Sequence, residues 1–255
     1  MLTYEYISIS NLPEKSVNKV IADYKISKAA LKKLNQKGIE VILTKRINRL
    51  YEAVSSHADM QIHHLEKDIF VCEPTVYDYY RNMLQDVRLI SGKVAVKAEY
   101  PFDIAYNICR VGDFVFHNFK YTDSKIYEYY EKIGVKLINV KQGYSKCSIC
   151  PITEKAVITS DIKIYKSCEN IMDVLYFNPH DIVLNGLNNG LVGGICGKIS
   201  KNILAVNGDI TLCTDGYKFI DFCQKHHVDV CNLTDSKPVD IGSIIPITQN
   251  KCSGW

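Results

Sequence analysis

A short phrase recurs along the chain: a helical pattern ends at a glycine or histidine, and a strand rich in branched side chains begins at once. The clearest copies place Gly38 before strand 39–43, Gly134 before strand 135–140 and His227 before strand 228–233. Two further strands of this kind begin at Val87 and Met172. The five starts are 48, 48, 37 and 56 residues apart, and periods of this size indicate repeated supersecondary units.

Each interval between these starts holds a second strand, at 69–72, 113–117, 156–159 and 203–206, and another follows the last start at 244–247. Helical patterns close most units, most clearly at 74–84, 124–133 and 216–227. A single ββαβ unit cannot bury both of its faces, so we predict an α/β fold in which five blades form a propeller around a central cavity. Residues 1–255 are predicted to be one domain. The alternative, a doubly wound sheet with a nucleotide, is disfavoured because the run 190–197 does not spell Gly-x-Gly-x-x-Gly.

Composition excludes several classes of protein. The 31 Lys and Arg against 28 Asp and Glu leave no basic surplus for nucleic acid, and no apolar run approaches the roughly 18 residues of a membrane span. The N-terminus has no secretory pattern, so we expect a cytoplasmic protein without nucleic-acid or membrane partners. Of ten cysteines only Cys147 and Cys150 have Cys-x-x-Cys spacing, so we expect no metal and no cofactor. The pattern does not indicate an oligomeric state.

The stretch 139–150 concentrates reactive groups and follows a short strand. Lys141 and Lys146 flank Cys147, and a nearby ammonium group stabilises a thiolate, so Cys147 is the best candidate nucleophile. The alternative is that Cys147 packs inward as an ordinary structural cysteine. The polar side chains around it are predicted to bind substrate: Asn139, Gln142, Tyr144 and Lys146.

Three other polar groups could line the cavity. His57 and Asp59 point the same way if their segment is extended, as a base and a carboxylate would; the alternative is a capped turn with a solvated histidine. Asp103 could contact a cationic ligand with Asn107 beside it, or simply close a turn after Pro101. The glycine-rich stretch 185–190, which includes Asn189, could offer backbone amides to a carboxylate or serve only as a long connection.

Five phrases, spread over the predicted blades, resemble the guanidino-group-modifying or pentein superfamily, and more narrowly an uncharacterised clostridial-type branch of it. The superfamily includes arginine deiminases, amidinotransferases and dimethylarginine dimethylaminohydrolases. The phrases lie at 55–63, 100–107, 139–148, 190–194 and 240–246.

The resemblance implies a central site in which carboxylates pair with a guanidinium group, a cysteine attacks its central carbon and a histidine moves protons. It places the cysteine in the last blade, at Ile241 or Gly242, and a histidine at Asn139, although neither residue type is present there. Asp240 and Ser243, in the same last-blade segment, are expected to bind substrate.

Two functions follow from these observations. The first is a protein that binds a small guanidino or amino-acid-like ligand in the cavity and hydrolyses a C–N bond, with Cys147, His57 and Asp59 as catalytic residues. The second is a non-catalytic use of the fold for ligand sensing or protein binding, as in the ribosome anti-association factor, which resembles this architecture.

Overall fold

The computed structural model describes residues 4–251, and its strands form five small sheets. In chain order the elements are β1 (Tyr4–Tyr6), β2 (Val17–Ala22), α1 (Lys28–Gln36), β3 (Glu40–Leu43), β4 (Ile62–Glu66), β5 (Ile69–Cys72), α2 (Tyr77–Met83), β6 (Arg88–Ser91), β7 (Cys109–Val111), β8 (Phe114–His117), α3 (Ser124–Ile133), β9 (Lys136–Asn139), α4 (Ser145–Ser148), β10 (Ile149–Thr153), β11 (Ala156–Thr159), α5 (Ile162–Cys168), β12 (Asp173–Tyr176), β13 (Cys196–Ser200), β14 (Ile203–Val206), α6 (Gly216–Lys225), β15 (Asp229–Asn232) and β16 (Ile245–Asn250).

Four sheets are built in the same way. In each, two consecutive strands pair antiparallel, and the second strand pairs parallel with a third strand that follows a helix. A parallel pair requires such a crossover connection. We number these sheets blade 2 (β4–β6), blade 3 (β7–β9), blade 4 (β10–β12) and blade 5 (β13–β15).

Blade 1 joins the two ends of the chain. The last strand, β16, pairs antiparallel with β2, and β2 pairs parallel with β3, so the sheet repeats the pattern of the other blades with its first strand supplied by the C-terminal segment. Strand β1 adds to the free edge of β16. The first and last strands of the described residues therefore lie in one sheet, which completes the ring of five blades.

The five-bladed prediction is confirmed, but the predicted unit boundaries are shifted. The five recurring strands are the third strands of the blades, β3, β6, β9, β12 and β15, instead of the first. The first strands of blades 2 to 5 were missed, and three of them carry buried polar side chains that obscure the apolar pattern. His63 in β4, Arg110 in β7 and Lys198 in β13 are all buried, and each has a hydrogen-bond partner.

Local signals explain why the helices stop where they do. Asp123 caps the N-terminus of α3, where its carboxylate accepts a hydrogen bond from the Lys125 amide, and Gly134 caps the C-terminus in the left-handed conformation (φ 72°). Its buried residues, Ile126 and Tyr130, face the largest apolar cluster. Within residues 4–251 no helix is long and apolar enough to cross a membrane.

Candidate functional site

A short turn precedes the first strand of every blade, and these five inner turns meet at the axis. They lie at 58–61, 104–108, 144–148, 191–195 and 240–244. Backbone hydrogen bonds join turns of different blades: Asp59 N to Gly242 O at 3.2 Å, Ser243 N to Gly194 O at 2.9 Å and Lys146 N to Asn107 O at 3.2 Å. Groups that are far apart in sequence are therefore held in fixed relative positions.

A cavity of about 530 Å³ lies over the inner turns. Seven of the residues predicted from sequence line it: His57, Asp103, Gln142, Tyr144, Cys147, Asn189 and Asp240. They come from all five blades, which is what the resemblance implied for a site on the axis. The rest of the wall is mostly apolar: Tyr51, Val54, Ala98, Tyr100, Leu184, Leu187 and Leu191.

Two carboxylates face this cavity. Asp240 accepts hydrogen bonds from the amides of Gly242 (2.9 Å) and Leu191 (2.8 Å), and its Oδ1 lies 3.8 Å from Nδ1 of His57. Burial raises the pKa of Asp240, and His57 opposes the shift. Asp103 accepts a short hydrogen bond from the Tyr144 hydroxyl; burial raises the pKa of Asp103 and this bond opposes the rise.

Three buried polar atoms at the site have no hydrogen-bond partner: Nδ1 of His57, Oδ1 of Asp103 and Oδ1 of Asp59. A buried polar group without a partner costs about 1–3 kcal/mol. Oδ1 of Asp103 belongs to a residue of the cavity wall, and a carboxylate oxygen can only accept hydrogen bonds when it is ionised. The site is therefore suited to a ligand that donates hydrogen bonds and carries positive charge.

The Cys147 thiol is buried and donates to Oδ2 of Asp59 at 2.9 Å. Burial, followed by the carboxylates of Asp59 and Asp240, raises the pKa of Cys147 well above its usual value. The expectation that flanking lysines would favour a thiolate is wrong, because Lys141 is exposed and the Lys146 ammonium is hydrogen-bonded to Ser243. The surroundings of Cys147 therefore favour the thiol over the thiolate.

Three predicted residues lie beneath the cavity wall and form a hydrogen-bonded chain. The Lys146 ammonium donates to Ser243 Oγ at 2.9 Å, and this hydroxyl lies 2.9 Å from both Asp59 Oδ2 and the Gly193 carbonyl. Burial lowers the pKa of Lys146, but the neighbouring acidic groups, the thiols of Cys109 and Cys196 first and then the Asp59 carboxylate, raise it overall. These three hydrogen-bonded side chains support Cys147 from below and are not part of the cavity wall.

Asn107 is also fully buried and holds the turn that carries Cys147. Its Oδ1 accepts from the amides of Lys146 (2.8 Å) and Cys147 (3.2 Å), and its Nδ2 lies 3.3 Å from the Cys147 sulfur. Asn139 is different, because it ends β9 with an exposed side chain that accepts from the Phe119 amide at 3.2 Å. The structure does not bring Asn139 to the cavity.

The positions where the resemblance implied a nucleophile cannot carry one. Gly242 has φ 63°, and a Cβ atom added to it would lie 2.2 Å from Cβ of His57. Ile241 is buried in the apolar cluster of blade 1 with Val20. His57 thus occupies the space beside the last-blade turn, and the cavity sulfur comes from Cys147 in blade 4.

Sequence reasoning did not find the apolar wall or the support behind blade 4. Tyr51, Tyr100 and Leu187 are 48%, 47% and 51% exposed; Tyr100 and Leu187 lay in segments that had been singled out, 100–107 and the glycine- and asparagine-rich stretch 185–190, and Tyr51 did not. His117 is buried, with Nε2 3.0 Å from the Gly143 carbonyl and Nδ1 2.6 Å from the Thr122 hydroxyl. It holds the segment that carries Gln142 and Tyr144.

One group of metal-binding side chains occurs within residues 4–251. The donor atoms of His57, Cys147 and Asp240 lie within 4.8 Å of one another. Ligands of a tetrahedral zinc ion, with bonds of about 2.0–2.3 Å, lie roughly 3.5 Å apart, so these donors would have to move closer together to bind one. His63 does not join them, because its Nε2 is paired with the Tyr130 hydroxyl at 2.7 Å.

Residues 21–245 match the model of a family of unknown function, DUF6873. The chain belongs to the DUF6873 family. No curated protein sequence matches it.

Two amidinotransferases and a dimethylarginine dimethylaminohydrolase are among the solved structures similar to this DUF6873 protein. The inosamine-phosphate amidinotransferase from Streptomyces griseus has a TM-score of 0.56 at 11% identity, with 98% of this chain and 97% of that chain covered. An amidinotransferase of the saxitoxin biosynthetic pathway from Microseira wollei has a TM-score of 0.53 at 11% identity, with 97% and 98% covered. A cysteine-to-serine mutant of the dimethylarginine dimethylaminohydrolase from Pseudomonas aeruginosa, complexed with citrulline, has a TM-score of 0.52 at 8% identity, with 85% and 92% covered. At these identities the likeness shows the fold, which is that of the pentein superfamily.

Proposed function

We propose that the central cavity of this DUF6873 protein binds a small guanidinium cation. The observation that carries the proposal is the pair of buried carboxylates, Asp103 and Asp240, on a wall without lysine or arginine among residues 4–251. A guanidinium group is planar, permanently charged and rich in N–H donors, and it pairs well with carboxylates. The unpartnered Oδ1 of Asp103 would accept one of its hydrogen bonds.

Asp103→Asn tests this proposal while preserving the local structure, because an asparagine oxygen can still accept from Tyr144. Removal of one charge from a charge-assisted pair costs about 1.5–3 kcal/mol, so the dissociation constant for a guanidinium ligand rises about ten- to hundredfold. The matched control is Asp229→Asn, at an exposed carboxylate on β15, which leaves the affinity unchanged.

Isothermal titration with n-butylguanidine, agmatine, methylarginines and creatine provides the measurement. Binding that is weakened by Asp103→Asn alone supports the cation site. If none of these compounds binds, or if both variants bind as well as the unmodified protein, the proposal is wrong.

We further propose that Cys147 hydrolyses a C–N bond of the bound ligand, since its sulfur lies with His57 and Asp240 in one cluster. A bound cation lowers the thiol pKa by Coulombic attraction, and the proton passes to Asp59, which already accepts it in a hydrogen bond. The thiolate forms an S–C bond to the central carbon, and the C–N bond breaks as His57 protonates the departing amine. Water then attacks the same carbon, giving one proton to His57 and the other to the departed amine. The S–C bond breaks, the sulfur takes its proton back from Asp59, and a urea, an ammonium ion and the thiol are released.

Product release distinguishes this activity from a binding-only role. With saturating n-butylguanidine the unmodified protein is expected to release a urea and an amine, whereas Cys147→Ala releases none and keeps its affinity within a few-fold. If the unmodified protein binds the ligand without forming product, it is a non-catalytic member of the fold, the second function considered from sequence.

A further inference from the structure

The wall of the cavity is asymmetric. Its floor carries the carboxylates and the thiol, and the part nearest solvent carries Tyr51, Tyr100 and Leu187, each about half exposed. A ligand whose cationic head reaches Asp103 and Asp240 must therefore lay the rest of its structure along tyrosine and leucine side chains.

The tyrosine hydroxyl groups on the wall are already used as hydrogen-bond donors. The hydroxyl groups of Tyr51 and Tyr100 donate to the carbonyls of Gly186 (2.9 Å) and Lys141 (3.3 Å). The Tyr144 hydroxyl donates to Asp103. The three phenols are therefore not free to donate to an anionic group of a ligand.

Two backbone amides next to Asn189 are occupied as well. The Gly190 amide donates to the Ile182 carbonyl at 2.8 Å, and the Leu191 amide donates to Asp240. The side-chain amide of Asn189 donates to the Gly190 carbonyl at 2.8 Å, and that of Gln142 to Asp161 at 3.1 Å. The stretch 185–190 was predicted to offer backbone amides to an α-carboxylate, but the amides of Gly190 and Leu191 are not free to do so.

We infer that the ligand is a guanidine with an apolar, uncharged body and no carboxylate, unlike an α-amino acid. The inference rests on the proposed guanidinium site and narrows its substrate class. A carboxylate on the ligand would face two aspartates and no lysine or arginine on the wall formed by the described residues. Desolvation and repulsion would both oppose its binding.

A matched pair of ligands tests the inference by titration calorimetry. n-Butylguanidine and 4-guanidinobutyrate have the same three-carbon spacer and differ in a terminal methyl against a terminal carboxylate. We expect n-butylguanidine to bind at least tenfold more tightly. Equal affinities would overturn this inference and leave the guanidinium site intact, whereas binding of neither compound would overturn the proposed function itself.

Two leucine variants locate the source of the preference. Leu187→Lys places an ammonium group beside the wall, and it is expected to improve 4-guanidinobutyrate binding several-fold and reduce the preference. Leu212→Lys is the control, because Leu212 is similarly exposed (46%) but does not line the cavity. If Leu187→Lys has no more effect than Leu212→Lys, the ligand body does not lie along this wall and the inference is wrong.

Discussion

The Gly242→Ala substitution tests whether His57 is fixed by the last-blade turn. A Cβ atom at position 242 would lie 2.2 Å from the Cβ of His57 and 2.7 Å from its Cα. To restore van der Waals contact, His57 must retreat by more than about 1 Å. Because Nδ1 of His57 lies 3.8 Å from Asp240, such a movement changes the floor of the cavity.

The expected loss in the free energy of unfolding has two contributions. A left-handed backbone conformation costs an alanine about 1–2 kcal/mol, and overpacking of a buried site costs about 1–3 kcal/mol more. Gly38 is the matched control, because it has a similar φ of 76° but no atom within 4 Å of an added Cβ. We therefore expect Gly38→Ala to lower the free energy of unfolding by about 1–2 kcal/mol and Gly242→Ala by about 2–5 kcal/mol.

Urea unfolding of the two variants gives both values, and titration with n-butylguanidine reports the site. Gly242→Ala is expected to weaken ligand binding, and Gly38→Ala is expected to leave it unchanged. Equal destabilisation by the two substitutions, with unchanged affinity in both, would refute the steric role assigned to His57.

Three further outcomes are expected. Lys146→Met should lower the free energy of unfolding by about 3 kcal/mol in urea titrations, because it leaves the buried Asp59 carboxylate without its nearby cation. An unchanged free energy of unfolding would contradict the buried charge network. His64 is buried and its pKa is lowered to about 4, so as the pH falls the unfolded state binds a proton at this residue before the folded state does. The stability that results is present in full above about pH 6.5 and is lost towards pH 4, by about 3 kcal/mol. Unfolding curves for the unmodified protein and His64→Gln would reveal this loss. Affinity for n-butylguanidine should fall as pH drops through the raised pKa values of Asp103 and Asp240, and a pH-independent dissociation constant between pH 4 and 8 would exclude their role.

The blades could be predicted from sequence because their signals are local. A capping residue, an amphipathic helix and a left-handed glycine, as at 123–134, depend only on neighbouring residues. The first strands could not be recognised so easily, since the buried His63 and Lys198 are compatible with a core only when distant groups satisfy them: the Tyr130 hydroxyl and the Ile152 carbonyl.

The identity of the site residues was easier to predict than whether each of them lies on the cavity wall or beneath it. Cys147 and Asp240 were identified from short phrases, and both line the cavity. Asp59 lies beneath Cys147 because its amide is bonded to Gly242 in the last-blade turn, 183 residues away in sequence. No local pattern specifies a contact between the second blade and the C-terminal segment. Only the folded structure could therefore show that Asp59 lies beneath the cavity wall and Cys147 on it.

A crystal structure with n-butylguanidine bound would test the guanidinium site most directly. The site predicts that the guanidinium group lies between Asp103 and Asp240, with its central carbon within about 3.5 Å of the Cys147 sulfur. Ligand density elsewhere on the protein, with the central cavity filled only by water, would contradict it.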